Sequence, residues 1–229
     1  MIVNYLLEQA NANCNIPNDF NRNSLLIATR KNQITVVELL LKKGVDINFS
    51  DANGCNALHI ACANGFTDTT KLLLEYWAHH KSEQKGDIFD IDVPDNLSLT
   101  SLMKASINNH LEIVKMLLNF GANPRIRTKN GESALTLACM QENLQIVEKL
   151  IVAKADVNEI DEHKRTPLLK AARHNSKNEI LELLLKNGAR HDLADEEGNT
   201  PLHFAAMRGT VEVAKFLMNL GANPYARNN

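Results

Sequence analysis

The sequence predicts an all-α solenoid of helix-turn-helix repeats joined by short hairpin-like loops. Two observations carry this prediction. A motif of two short helices recurs six times along the 229 residues, and an alanine inside the first helix of each copy reveals the period. The intervals Ala28 to Ala61, Ala105 to Ala138 and Ala138 to Ala171 are each 33 residues. Repeats of this length are typical of units that bury their apolar faces by stacking on one another.

The first helix of each copy has a recognisable start. The residue before it can accept a hydrogen bond from the free amides of the first turn. These predicted N-caps are Asn23, Asn56, Thr100, Ser133, Thr166 and Thr200. Pro167 and Pro201 follow two of them, at the first helical position, where proline loses no hydrogen bond.

The second helix of each copy carries apolar residues at helical spacing. It is predicted to end where a residue readily adopts the left-handed conformation. The predicted stops are Gly44, Gly121, Gly188 and Gly221, or Asn11.

The alanine spacing predicts one repeat domain over 1–229. Two steps deviate from the period: Ala61 to Ala105 is 44 residues and Ala171 to Ala205 is 34. The first places an 11-residue insertion at about 78–88, and the second places one extra residue near Ser176 to Asn178. The predicted units are a partial repeat, 1–17, with a second helix and loop, and full repeats 18–50, 51–94, 95–127, 128–160, 161–194 and 195–229.

The motif "TPLHFAA" at 200–206, followed by "GTVEVAKFLMNLGANP", resembles the ankyrin repeat. "TPLLKAA" at 166–172 is nearly as similar, "NSLLIAT" at 23–29 and "TSLMKAS" at 100–106 are looser, and the resemblance covers essentially the whole chain. It implies an ankyrin-repeat α-solenoid that acts as a protein–protein interaction module, an adaptor or scaffold, and not as an enzyme. An alternative stays open: the targeting module of a larger enzyme or secreted bacterial effector whose catalytic part lies elsewhere.

In proteins similar to this one, the loop tips and the exposed side of the first helices form a concave surface that holds a partner. The matching positions are Phe20, Arg22, Arg30, Asn53, Cys55, Asn64, Leu97, Leu99, Ile107, Asn108, Lys129, Met140, Gln141, Arg165, Arg173, His174, Met207 and Arg208. The middle of this series is apolar and its ends are basic, which is the arrangement expected of an interface centre with a polar rim. Two readings of Leu97 and Leu99 remain open: an apolar interface centre, or local packing under the neighbouring insertion.

The insertion begins where a second helix lacks its stop signal. Trp77 stands in the position of Gly44 and Gly121, so the helix is predicted to continue to about Lys81 or Ser82. The residues singled out here are Trp77, His79, His80, Ile88 and Phe89. The favoured interpretation packs the tryptophan against the added turn, under the isoleucine and phenylalanine; the alternative is an exposed binding hot spot.

Metal and catalytic chemistry find little support in the sequence. Cys55, His59 and Cys62 form a C-x3-H-x2-C pattern, but His59 and Cys62 occupy the repeat positions of His203 and Ala206, so no metal site is predicted. The acidic cluster of the insertion does not follow the order of a calcium-binding loop. No nucleophile, phosphate-cradling or metalloprotease motif is present, and no cofactor is expected.

Composition narrows the partner and the compartment. A net charge of −2 does not favour nucleic acid, and no apolar run is long enough for membrane insertion. Four sparse and irregularly spaced cysteines indicate a reducing, intracellular and cytosolic setting, or the host cytosol for a secreted effector. We expect a monomer. Asn48 and Asn158 each follow a leucine by eight residues, which is similar to ankyrin asparagines that an asparaginyl hydroxylase modifies.

Overall fold

A computed structural model describes residues 13–82, 90–174 and 178–229, without the side chains of 80–82. The described residues form twelve helices and one isolated antiparallel bridge, between Arg127 and Ser133. This all-α architecture confirms the predicted fold class.

The chain divides into two compact units, which meet in sequence between Ala122 and Asn123. The described helices of unit 1 are α1 (Ser24–Arg30), α2 (Ile34–Lys42), α3 (Ala57–Asn64), α4 (Thr67–Ser82), α5 (Ser101–Ile107) and α6 (Leu111–Asn119). Those of unit 2 are α7 (Ala134–Met140), α8 (Leu144–Val152), α9 (Pro167–Arg173), α10 (Asn178–Lys186), α11 (Pro201–Arg208) and α12 (Val211–Asn219). The repeat boundaries drawn from the sequence, and their grouping into one domain, stay predictions.

Each unit has two layers of helices. In unit 1 the first helices α1, α3 and α5 pack side by side, and the second helices α2, α4 and α6 form the other layer. Unit 2 repeats this arrangement with α7, α9 and α11 against α8, α10 and α12. The alanine that sets the period is buried in all six copies, from Ala28 to Ala205, because neighbouring first helices approach too closely for a larger side chain.

The predicted helix boundaries are confirmed where the structure describes them. All six predicted N-caps precede their helices; for example, the Leu26 amide donates to Asn23 Oδ1 at 3.0 Å. At the predicted stops, Gly44 has a φ of 73° and Gly121 a φ of 89°, both in the left-handed region. Asn11, the remaining predicted stop, lies outside the described residues.

Helix α4 confirms the predicted extension. It has 16 residues and ends at Ser82, whereas α2 and α6 each have nine. Trp77 is 7% exposed, and its ring lies 6.4 Å from that of Phe120 at the end of α6. Trp77 thus packs between neighbouring repeats and contributes to the core there. The side chain of His80 and residues Ile88 and Phe89 lie outside the described part, so their predicted cover over the added turn stays a prediction.

Candidate protein interaction surface

A buried aspartate begins the hairpin of several repeats. In unit 1, Asp51 Oδ1 accepts hydrogen bonds from the amides of Asn53 at 3.0 Å and Cys55 at 3.1 Å. The same pair of bonds, two and four residues further along the chain, is made by Asp95, Asp161 and Asp195. Each carboxylate therefore closes a tight turn and projects the residue at its tip.

The ionised form of three of these aspartates is stabilised by their surroundings. Burial alone would raise the pKa of Asp51, but hydrogen bonds from backbone amides and from the Arg30 guanidinium outweigh it and lower the pKa. The pKa values of Asp95 and Asp161 are lowered for the same reason, with Lys104 and Lys170 as the respective cations. The hairpins are thus stabilised by ionised carboxylates at neutral pH.

Successive hairpin tips are joined by backbone hydrogen bonds. In unit 1 the Asn96 amide donates to the Asn53 carbonyl oxygen at 3.1 Å. In unit 2 the amides of Glu162 and Glu196 donate to the carbonyl oxygens of Asn130 and His163, at 3.1 and 3.2 Å. Each unit therefore presents a row made of its hairpin tips and the exposed side of its first helices. We call these the unit 1 row and the unit 2 row.

The unit 1 row has large apolar side chains at its tips. Phe20 is 65% exposed and Leu97 is 73% exposed, and Asn53 at the tip between them is also exposed. The Arg22 guanidinium lies 5.1 Å from the centre of the Phe20 ring. The cover of Leu97 and Leu99 by the insertion stays a prediction, because residues 83–89 of the insertion lie outside the described part of the chain. Leu99 is half-buried, and its carbonyl oxygen lies 3.2 Å from His59 Nε2.

The helical part of the unit 1 row is largely neutral. Arg30 Nη2 lies 2.9 Å from the Asp51 carboxylate, so its charge is compensated. Ile107 is half-buried, and Asn64 and Asn108 are exposed; Cys55, in the hairpin before α3, is also half-buried. Burial, followed by nearby carboxylates, raises the pKa of the Cys55 thiol, which keeps it protonated and unreactive.

The unit 2 row is polar and charged. Its tips are Asn130, His163 and Glu197. Lys129 and Gln141 are exposed, Met140 is half-buried, and Met207 is 74% exposed. Arg165 Nη2 lies 2.9 Å from the Asp161 carboxylate. Arg173, His174 and Arg208 stand exposed at the ends of the first helices.

A buried lysine lies beneath this row. Lys170 is 3% exposed and forms ion pairs with Glu132 and, at 3.1 Å, with Asp161. Isoleucine, leucine or phenylalanine takes the same place in four of the other repeats, where Ile27, Ile60, Leu137 and Phe204 stand. The unit 2 row thus has an ion-paired lysine beneath it, as the unit 1 row has at Lys104, which lies 2.7 Å from the Asp95 carboxylate, whereas the other four repeats are apolar at this position.

The family model described as "Ankyrin repeats (3 copies)" matches residues 1–87, 85–161 and 135–228. The chain belongs to the ankyrin repeat family. Ankyrin repeats are non-catalytic protein–protein interaction modules, and the two rows lie on the hairpins and first helices of those repeats. No helix within residues 13–82, 90–174 and 178–229 is long and apolar enough to cross a membrane.

Relatives with ankyrin repeats come from distant organisms. The ankyrin repeat protein YahD of Escherichia coli is 30% identical, and the match covers 91% of this chain and 98% of that protein. The nuclear factor NF-kappa-B p105 subunit of Gallus gallus is also 30% identical, over 93% of this chain but only 18% of its own length. The crystal structure of the ankyrin repeat domain of Bcl-3, a member of the IkappaB protein family, has a TM-score of 0.79 at 25% identity, covering 93% of this chain and 90% of that one.

The residues of the zinc-like pattern serve the ankyrin fold. His59 is 1% exposed, and its Nδ1 lies 2.7 Å from Asn56 Oδ1 at the start of α3. Burial, aided by the charge of Lys104, lowers the pKa of His59 to about 4, and burial raises the pKa of Cys62 to about 12. In the part of the chain that the structure describes, no group of three or more His, Cys, Asp or Glu residues is placed to hold a metal ion.

The two asparagines compared with hydroxylation sites differ in their surroundings. Asn158 Nδ2 donates to the Gly188 carbonyl oxygen at 2.9 Å, and its Oδ1 accepts from the Arg190 amide at 2.8 Å. Asn158 thus ties one ankyrin repeat to the next, whereas Asn48 is exposed. Their hydroxylation stays a prediction. His79 lies on the second-helix side of unit 1, where it lines an open cavity of about 560 Å³ with Tyr76 and Leu72.

A buried glutamate was not predicted. Glu159 is 7% exposed and accepts hydrogen bonds from Ser133 Oγ and, at 2.6 Å, from Thr136 Oγ1. Burial raises its pKa, although these two hydroxyl groups lower it in part. In the other ankyrin repeats the same position is apolar, with Ile16, Phe49, Val93, Ile126 and Leu193. A glutamate at a repeat position that is otherwise apolar was the sequence signal from which this buried group could have been predicted.

Proposed function

We propose that this chain is an adaptor or scaffold that binds a partner protein through the hairpin tips and first helices of its ankyrin repeats. The observation that carries the proposal is the exposure of Phe20 and Leu97, at 65% and 73%, on tips of the unit 1 row. Large apolar side chains that stand in water within a polar surround are characteristic of interaction sites.

The tips also have the rigidity that favours binding. The Asp95 carboxylate accepts two amide hydrogen bonds, both at 2.9 Å, which brace the turn beneath Leu97. On the Phe20 hairpin, Asn18 Oδ1 accepts from the amides of Phe20 and Arg22 at 3.0 and 3.1 Å. A tip that is already ordered loses less conformational entropy when a partner covers it. Ordered apolar tips therefore contact a partner with a smaller loss of conformational entropy than mobile tips would.

The test is a comparison of two variants with matched chemistry. A partner is first captured on the immobilised chain, identified by mass spectrometry and purified, and its affinity is then measured by calorimetry. The double variant Phe20→Glu with Leu97→Glu is expected to weaken binding by about thirtyfold or more, because two interface anchors that contribute at least about 1 kcal/mol each contribute about 2 kcal/mol together.

The control is Val152→Glu, since Val152 is 67% exposed but lies at the end of α8, a second helix. It should leave the affinity unchanged, and circular dichroism should show intact helices in both variants. Equal affinities for the wild type and the tip variant would refute the proposed surface.

A second candidate follows from the lengths of the relatives. The chain matches 18% of the p105 subunit and 32% of a Danio rerio protein named as a palmitoyltransferase. Relatives in which the repeat array is a small part of a longer protein favour a second interpretation, in which the array directs a larger enzyme or a secreted effector to its target. Reading the complete gene decides between the two: a continuous frame that encodes a catalytic domain supports this candidate, and stop codons close to both ends contradict it.

A further inference from the structure

Two arginines at the ends of neighbouring first helices form no ion pair with an acidic side chain of the described residues. Arg173 ends α9 and Arg208 ends α11, and these helices pack side by side. Arg208 Nη2 donates to the Arg173 carbonyl oxygen, which holds the two helix ends together. Both side chains are exposed.

The contrast with other arginines on the rows is direct. Arg30 and Arg165 each lie 2.9 Å from a buried aspartate of their own unit. Within residues 13–82, 90–174 and 178–229, no carboxylate forms an ion pair with Arg173 or Arg208. The unit 2 row therefore presents two cations that remain available to a ligand.

The neighbouring histidine responds to this positive charge. Partial desolvation of its ring lowers the pKa of His174, and the charges of Arg173, Lys170, Arg208 and Arg165 lower it further. Four cations thus act on one imidazole at the helix ends. A carboxylate placed between Arg173 and Arg208 would be attracted by these two cations, whereas Glu197, which lines the same cavity, would repel it.

The two arginines open onto an uncovered cavity of about 700 Å³ at the same place in the row. Its other lining residues are Phe204, Met207, Asn199, Asn228 and Glu197. The volume lies within the range of roughly 300 to 1,000 Å³ that ligand-binding clefts occupy. Met207, which is 74% exposed, puts an apolar surface beside the guanidinium groups.

We propose that this cluster, Arg173 and Arg208 with the apolar side chain of Met207, binds an acidic segment of the partner protein. A carboxylate of that segment pairs with the guanidinium groups, which suit it by their planar donor geometry, and an adjacent apolar side chain packs on Met207. The inference rests on the proposed function and assigns a chemical class of partner segment to the unit 2 row. Glu197, whose carboxylate accepts from Asn199 Nδ2 at 3.1 Å, repels misplaced acidic groups and so orients the segment.

The probe is a short fluorescein-labelled peptide in which glutamate and leucine alternate, and its reference has glutamine in place of each glutamate. Fluorescence anisotropy with the full chain is expected to show at least about tenfold tighter binding of the glutamate peptide at low salt, and a weaker preference as salt screens the charges. Arg173→Gln with Arg208→Gln should reduce the affinity for the glutamate peptide to that for the glutamine peptide. Arg173→Lys with Arg208→Lys should keep part of the preference, because the charge remains while the planar donors are lost.

The control removes the same net charge elsewhere. Lys42 and Lys186 are exposed on second helices, where each already pairs with a glutamate at i−4. Lys42→Gln with Lys186→Gln should leave glutamate-peptide binding unchanged. An equal loss in this control, or equal binding of the two peptides by the wild type, would overturn the inference.

The outcomes also separate this inference from the proposed function. In one outcome, the purified partner binds the Phe20 and Leu97 variant more weakly, but the arginine substitutions leave the affinity for the glutamate peptide unchanged. The proposed function then stands and the inference fails. If the peptide depends on Arg173 and Arg208 while the tip variant holds its partner with full affinity, the inference stands and the unit 1 surface fails.

Discussion

Unit 1 and unit 2 build their hairpins in the same way but expose different chemistry at the tips. The tip positions carry Phe20, Asn53 and Leu97 in unit 1 and Asn130, His163 and Glu197 in unit 2. In both units the turn is held by a side chain below the tip, such as Asp95 or Asp195. Since the tip side chain does not hold the turn, its identity is free to vary. The difference teaches that binding chemistry and fold stability reside in separate positions of one hairpin.

The units also differ in their buried polar groups. Unit 1 buries His59, whose pKa is lowered to about 4, and unit 2 buries Glu159, whose pKa is raised. Both groups favour the neutral form, so His59 and Glu159 contribute to the pH dependence of stability with opposite signs. Trp77 lies in unit 1, so tryptophan fluorescence reports on that unit separately.

The largest expected effect compares the aspartates of two hairpins. Asp161→Asn should lower the free energy of unfolding by about 3 kcal/mol, because it leaves Glu132 as the one carboxylate of the described residues that pairs with the buried Lys170. It also removes the ion pair of Arg165. Asp51→Asn should cost about 1 kcal/mol, since its partner Arg30 is partly exposed and can be hydrated. Urea denaturation followed by circular dichroism measures both changes. Equal losses in the free energy of unfolding would contradict the expected difference between the buried ion pair and the partly exposed one.

Acidification should destabilise unit 1 through His59. Its folded-state pKa of about 4 lies below the ordinary value of 6.5, so its contribution is fully present above pH 6.5 and is lost as the pH falls towards 4. The free energy of unfolding should drop by about 2 kcal/mol between pH 7 and pH 5. Urea titrations followed by Trp77 fluorescence measure this, and His59→Leu should remove the dependence, because leucine already fills this position as Leu26 and Leu169. If the free energy of unfolding of His59→Leu still falls between pH 7 and pH 5, another group causes the pH dependence.

The opposite sign is expected in unit 2. Glu159 has a raised pKa, so its contribution is fully present below pH 4.5, the ordinary value for glutamate, and is lost as the pH rises through the folded-state pKa. Glu159→Gln should therefore stabilise unit 2 at pH 8 by about 1 kcal/mol, and by less at pH 5. Amide hydrogen exchange in α7 measures it. The exposed Glu162→Gln is the control, and equal gains at the two pH values would rule out titration of Glu159 as the cause.

The smallest effect concerns the acidic rim of the arginine cavity. Glu197→Gln should tighten binding of the glutamate peptide by about threefold, since it removes a repulsive charge that is exposed to solvent. Anisotropy titrations measure the change, with Glu182→Gln on α10 as the matched control. Weaker binding in Glu197→Gln would show that the peptide does not approach this rim.

Local signals were the most informative part of the sequence. The N-caps, the left-handed glycines and the extension of α4 beyond Trp77 all follow from interactions within one helix turn, and the structure contains each of them. Arg165 and Arg173 show where such reasoning stops, because the sequence grouped both into one basic end of the row. Of these two, only Arg165 forms an ion pair with an aspartate, and only the packing of the repeats shows this difference.

By itself, the sequence determined the ankyrin repeat, its two-helix unit, the positions of caps and stops, and the positions of each row of hairpin tips and first helices. Those features depend on residues close together in the chain and on a pattern repeated along it. The tertiary structure alone decided which side chains on that row are exposed, buried or neutralised. Lys170, for example, is paired with Glu132, 38 residues earlier in the chain. Charge compensation and burial depend on distances in space, and stacking sets those distances between residues that the sequence holds far apart.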